Sequence, residues 1–264
     1  MHRLPPFKKL ILLVFTGFLL LRPVAGAAEP VLVAAASSLR FALAELVQGF
    51  EAETGLQVVP VYGSSGNFAR QIRQGAPFQM FLSADETYVR DLAAEGLTRD
   101  AGVRYAVGRL VLAVPAGGAL RVDGELADVA SAISDGRLQR FAIANPDHAP
   151  YGVRAREVLQ ARGLWPAIGP KLVLGENVGQ AAQFVFSGNA QGGLLAYALV
   201  LAPDAPEGIT YALIPEDLHA PLGQRMVLLE KAGPVAEAFY GYMKGPEAAA
   251  VLERYGFAVP DAGE

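Results

Sequence analysis

Short apolar runs alternate with stretches of helical period along most of this 264-residue chain, and that alternation constrains the fold more than any other feature. Val31–Ala36 is an unbroken apolar run, the pattern of a strand buried on both faces of a parallel sheet. Leu39, Leu43, Leu46, Val47 and Phe50 follow at spacings that share one helical face, and Gly55 closes that segment. Residues 56–62 read as the next strand, 68–74 as a helix, 78–83 as a third strand, and 86–95 as a third helix ended by Gly96. The spacing then predicts one long strand over 105–115, a helix over 126–134 and a strand over 141–144. A helix over 151–162, a strand over 171–174 and a helix from about 178 to 186 follow. Residues 194–201 suit either a strand or the start of a helix. Strands at 209–214 and 226–229 precede two helices around Lys244-Gly245-Pro246.

Strands alternating with helices imply an α/β fold with mainly parallel sheets. No repeat and no low-complexity linker divides the chain, so two lobes would be joined by strand-like crossings. The candidates are 105–115 and the segment around 215–225. They predict a discontinuous first lobe of residues 28–107 and 223–264, and a second lobe of 108–222.

The first 27 residues read as an address. Arg3, Lys8 and Lys9 precede an apolar run from Leu10 to Leu21, too short for the ~20 residues that span a bilayer. Ala25 and Ala27 supply the small residues of a signal-peptidase site, so residues 1–27 are expected to be a cleaved export signal. Cleavage removes four basic residues and no acid, taking the net charge from −4 to −8. The expected location is the periplasm. With no cysteine there is no lipid anchor on that residue, no disulfide, no thiolate metal site and no thiol nucleophile. The acidic balance gives no footprint for nucleic acid.

Catalytic signatures are sparse. His148 and His219 are the only histidines beyond the signal, too few for a metal site at helical or loop spacing. His148 beside Asp147 suits a loop that opens a helix, as well as a polarised base. Gly63-Ser64-Ser65-Gly66-Asn67 approaches the G-x-S-x-G elbow of hydrolases, but Asn67 stands where glycine is needed. The chain has neither a G-x-G-x-x-G turn nor a phosphate-binding P-loop. Asp85-Glu86 most simply complements a helix dipole. The reading is therefore of a non-enzyme.

Helix starts rich in small or hydroxyl residues do recur. Ser37-Ser38, Gly63-Ser64-Ser65-Gly66, Pro150-Tyr151-Gly152 and Asn177-Val178-Gly179-Gln180 each follow a strand. Such turns offer unpaired N–H groups and the positive end of a helix dipole. In an open sheet they lie where ligands bind. Ordinary N-capping would explain any one of them. Together they describe a site for a small anion built without Lys or Arg.

At these residues the sequence resembles the periplasmic molybdate-binding proteins of ABC transporters, from about Val31 to Phe257. The resemblance rests on Ala34-Ala35-Ala36-Ser37-Ser38-Leu39, Gly63-Ser64-Ser65-Gly66, Gly75-Ala76-Pro77 and Phe81-Leu82-Ser83-Ala84-Asp85. Further along it rests on Asn145-Pro146-Asp147-His148-Ala149-Pro150-Tyr151-Gly152, Glu176-Asn177-Val178-Gly179-Gln180 and Lys244-Gly245-Pro246-Glu247-Ala248. It implies two α/β lobes with the oxyanion in the cleft between them, and a closed form that docks on a membrane permease. By position, Ser38 and Ser65 match the family's hydroxyl donors, and Ser37 matches a hydroxyl donor of one branch. Tyr151 and Val178 match positions whose backbone N–H groups bind the anion. Many members add a tyrosine late in the second lobe. Here the ungapped match is Ala196, with Tyr197 one place on, so the tyrosine is assigned to Tyr151 instead.

The resemblance implies molybdate or tungstate as the ligand, no cofactor, no directly bound metal and a monomeric receptor. Both anions lack a proton at neutral pH and suit a site made of donors alone. Sulfate is also fully deprotonated, so a sulfate receptor of the same fold stays open. So do a secreted hydrolase using Ser65 and His148, and a sensor signalling to a membrane partner.

Overall fold

The structure, a computed structural model, describes His2, residues 30–203 and residues 205–259. Apart from His2, the expected signal segment lies outside the described residues. The first half of the chain forms β1 (Val31–Ala36), α1 (Arg40–Thr54), β2 (Val58–Gly63), α2 (Ser65–Arg73), β3 (Met80–Ser83), α3 (Glu86–Ala94) and β4 (Val103–Gly108). After β5 (Leu110–Pro115) come α4 (Ala127–Ser134), β6 (Phe141–Ala144), α5 (Pro150–Ala161), α6 (Trp165–Ile168), β7 (Leu172–Gly175) and α7 (Val178–Phe186). The chain continues through β8 (Gly192–Ala196), α8 (Tyr197–Val200), β9 (Ile209–Leu213), β10 (Leu222–Leu228), α9 (Pro234–Tyr242) and α10 (Pro246–Arg254).

Two five-stranded sheets organise these elements into a two-lobed α/β fold, in the orders β2-β1-β3-β10-β4 and β7-β6-β8-β5-β9. Each sheet carries helices on its faces. Leu43, Leu46, Val47 and Phe50 of α1 are buried under the first sheet with Phe239 of α9 and Leu252 of α10. Val158 and Leu159 of α5 and Val185 of α7 fill the core of the second. The Gly55 stop is realised in the left-handed region, at φ 69°, where glycine avoids a Cβ clash.

Three expectations are corrected. The sheets are mixed, and parallel pairing covers only part of each. β1 runs parallel to β2 and β3, and β6 to β7 and β8. The strands next to the crossings run the other way: β10 is antiparallel to β3 and β4, and β5 to β8 and β9. Strands joined by a helix return parallel, whereas strands that enter from the other lobe are free of that constraint.

The apparent strand over 105–115 is two strands in different sheets. It breaks at Arg109, whose carbonyl accepts from the Tyr197 N–H at 2.9 Å. Both halves are extended and buried, so the apolar run does not register the change of sheet. The chain crosses back between Leu213 and Leu222.

Helix α2 begins at Ser65, three residues before the expected start. Ser64 takes the extended cap position, and the Phe68 N–H donates to its carbonyl at 3.1 Å. The hydroxyl and glycine run that reads as a loop is therefore the first helical turn.

Candidate functional site

Four segment starts meet between the two sheets. β1 delivers Ser37 and Ser38 on a short 3₁₀ turn ahead of α1, and β2 delivers Ser64 and Ser65 at the start of α2. From the other lobe, β6 leads to α5 through residues 145–149, and β7 leads to α7 through Asn177. All four point the positive end of their peptide dipoles inward.

Between them lies a small pocket. Ser37, Ser38, Ser65, Tyr151 and Val178, the five residues singled out from the sequence, all line it. Ser64 and Asn177 line it too, and Ala36, Gly63, Ala84, Ala149 and Pro150 complete the wall. No acidic or basic side chain is among them. Tyr197 is not in this wall: its ring lies against the Arg109 guanidinium and the Tyr211 ring.

The hydroxyls are oriented by what they accept. A serine hydroxyl has one proton and two lone pairs. Ser37 Oγ accepts from the Gly179 N–H at 3.1 Å, and Ser65 Oγ accepts from the Ala84 N–H at 2.9 Å. Their protons are thereby left to donate. Ser38 is 1% exposed, and its Oγ has no hydrogen-bond partner among the described residues. It lies beside the Tyr151 hydroxyl without meeting hydrogen-bond geometry. An unpartnered buried hydroxyl is costly, so its position in the cavity wall points to a ligand.

Backbone donors add to these. Val178 is the first residue of α7 and Tyr151 the second of α5, so neither N–H has an intrahelical acceptor. Asn177 caps α7, its Oδ1 accepting from the Gln180 N–H at 3.1 Å. Burial pushes the Tyr151 phenol well above its ordinary pKa, and the Ser38 and Gln224 side chains act the other way. Tyr151 is therefore a neutral donor at physiological pH.

The cleft is shut in this structure. The Gly66 N–H donates to the His148 carbonyl at 3.0 Å, and Ser64 Oγ lies 2.9 Å from His148 Nδ1. His148 Nε2 is 3.5 Å from Glu176 Oε2, which also accepts from Asn67 Nδ2 at 3.1 Å. Arg154 pairs with Asp85 at 3.2 Å across the same boundary. Asp85 also accepts from the Thr87 N–H at 2.8 Å, the helix-start role expected for it.

The hydrolase alternative paired His148 with Ser65, but the structure pairs it with Ser64. Ser64, His148 and Glu176 follow the order of a catalytic triad. They come from both lobes, however, so the array exists only while the cleft is shut, and the Glu176 side chain is 67% exposed. In this structure the array links the two lobes.

Sequence reasoning named Ser64 without giving it a task, and missed Gln224. Gln224 is fully buried on β10, in phase with Leu222 and Met226. A polar residue on the buried phase of a strand was the available signal.

The chain matches the family model described as bacterial extracellular solute-binding protein over residues 31–258. It is 39% identical over 254 residues to the molybdate-binding protein ModA of Azotobacter vinelandii, covering 94% of this chain and 97% of that one. It is 38% identical over 237 residues to the ModA of Rhodobacter capsulatus, covering 88% and 89%. Among solved structures, the periplasmic molybdate-binding protein of A. vinelandii superposes with a TM-score of 0.79 at 31% identity, covering 88% of this chain and all of that one.

Proposed function

The chain belongs to the bacterial extracellular solute-binding protein family, alongside the molybdate-binding ModA proteins, and from this premise we propose that it is a receptor that captures molybdate, and also tungstate, between its lobes. Its ligand is cargo rather than cofactor, and it has no catalytic task. Ser37, Ser38 and Ser65 donate through their hydroxyls, Tyr151 through its N–H and hydroxyl, and Val178 through its N–H.

The single observation that carries the reading is a cavity walled by donors from both lobes with no charged side chain in it. A dianion without protons suits such a site, and its charge is spread over neutral dipoles between largely buried residues. Monohydrogen phosphate would be held best by a carboxylate accepting its proton, and no carboxylate is among the residues lining the cavity.

Binding to both lobes favours the closed state by the ligand's differential affinity for it. The lobes, residues 28–107 with 223–264 and residues 108–222, turn about the crossings at Arg109 and between Leu213 and Leu222. With residues 1–27 removed on export, the closed receptor acts as a monomer in the periplasm and hands the anion to the permease of an ABC importer. Among the described residues no helix is long and apolar enough to cross a membrane.

Titration with molybdate, tungstate, sulfate and phosphate, beside melting curves, tests this. Ligand at ~1,000 times Kd adds about 4 kcal/mol to folded-state stability. Large shifts are expected for molybdate and tungstate, and little for phosphate. Equal shifts for all four anions would overturn the assignment.

A further inference from the structure

Behind the cavity wall runs a buried chain of side-chain hydrogen bonds. Tyr105 on β4 donates its hydroxyl to Gln224 Oε1 at 2.8 Å. Gln224 Nε2 donates in turn to the Tyr151 hydroxyl oxygen at 3.3 Å. Tyr105 is 5% exposed, Gln224 0% and Tyr151 2%. The chain passes from the first sheet into the second lobe beside Gly108, the last residue of β4. A Cβ there would stand 2.7 Å from Gln224 Nε2 and closer still to the Tyr151 hydroxyl, so glycine lets the two groups meet.

The direction of these bonds matters. Tyr105 fills the carbonyl end of the amide, which leaves the NH₂ end to face Tyr151. An amide NH₂ can only donate, so Tyr151 accepts on its oxygen and its own proton must point elsewhere. The remaining direction leads toward Ser38, whose hydroxyl has no partner in hydrogen-bond geometry among the described residues. Burial raises the pKa of both tyrosines, in Tyr105 with a further contribution from Tyr151, so both remain protonated.

We propose that Gln224 is a positioning residue for anion capture: it occupies the Tyr151 oxygen from behind, so that Tyr151 and Ser38 present protons to the bound anion. Gln224 never touches the ligand. This rests on the reading of the cavity as an oxyanion site.

The test is molybdate titration of the wild type and of the Ser65→Ala, Tyr151→Phe, Gln224→Met, Tyr105→Phe, Tyr151→Phe/Gln224→Met and Tyr105→Phe/Tyr151→Phe variants. Removing one buried hydrogen bond to the charged ligand should cost about tenfold in affinity for Tyr151→Phe, and Gln224→Met should approach the same loss. The double variant should bind no worse than Tyr151→Phe, because Gln224 acts through that hydroxyl. Wild-type affinity in Gln224→Met or in Tyr151→Phe overturns the proposal, and so does an equal loss from Gln224→Met in both backgrounds.

Should Gln224→Met lack a cooperative melting transition, Tyr105→Phe decides. It removes one remote hydroxyl and should weaken binding about threefold, an effect that disappears when Tyr151 is already Phe. No loss, or the same loss in both backgrounds, overturns the proposal. If the wild type binds none of molybdate, tungstate, sulfate and phosphate, the site reading itself falls, and this proposal with it. If the wild type binds and Ser65→Ala weakens it while Gln224→Met does not, only the role of Gln224 falls.

Discussion

The Gly66 amide donates to the His148 carbonyl across the cleft at 3.0 Å, so the first turn of α2 touches the backbone of the opposite lobe. A Cβ on Gly66 would stand 2.6 Å from that carbonyl oxygen and 3.1 Å from His148 Cα. Of the three nearest atoms, the one from its own lobe is the hydroxyl at the end of the Tyr88 side chain, which can move. Gly66→Ala should therefore obstruct closure while sparing the unliganded fold. Affinity falls about tenfold for each ~1.4 kcal/mol of closure lost. The check is a molybdate titration with scattering: the variant should keep a larger radius at saturation. Wild-type affinity and radius would show that closure does not need this approach.

Ser38→Ala and Ser65→Ala should separate binding from stability. Each removes a donor to a charged ligand, a loss of roughly 1.5–3 kcal/mol in binding. Ser65 Oγ also accepts from the buried Ala84 N–H, so Ser65→Ala should cost the unliganded protein about 1–3 kcal/mol as well. Ser38 has no such partner, and its removal should leave the unliganded melting temperature unchanged or higher. Denaturant unfolding without ligand, beside titrations, compares the two.

Val178 should act through its main chain. Its side chain is buried, so Val178→Ala should lose about 2 kcal/mol of stability yet bind normally once folded. Val178→Pro removes the N–H at the first helical position, where proline fits, and Asn177 at ψ 172° already has the backbone that proline prefers before it. Its affinity should fall far more than that of the alanine variant. The opposite order in titration would place the contact on the side chain.

Asp128 should make stability sensitive to acid. The Arg137 guanidinium and the Arg121 N–H hold its carboxyl down, from 3.8 to about 2, against the opposing effect of burial. A depressed carboxyl stabilises the fold above its unfolded pKa. That contribution disappears as pH falls from about 4 through about 2. Asp128→Asn should lower the urea midpoint at neutral pH, and the gap to wild type should narrow across that window. A constant gap would mean that the pairing contributes nothing through ionisation.

The sequence by itself determined the order of the elements and most of the cavity wall. Apolar runs such as Val31–Ala36 can lower their free energy only as buried strands, and the Leu39–Phe50 spacing can bury only one face of a helix. Hydroxyl and glycine turns after strands then fall at the carboxyl ends of a sheet by topology. That is why Ser37, Ser38, Ser65, Tyr151 and Val178 were legible although they lie up to 141 positions apart. Tertiary structure decided what local pattern does not encode. The break at Arg109 is a change of sheet within one extended, largely apolar stretch. The direction of β5 and β10 depends on which neighbours they meet after crossing. The pairing of His148 with Ser64, and of Gln224 with Tyr105 and Tyr151, joins residues of different elements through hydrogen bonds a few ångströms long. Such bonds depend on side-chain direction and lobe closure, and these exist only once both sheets have formed and met.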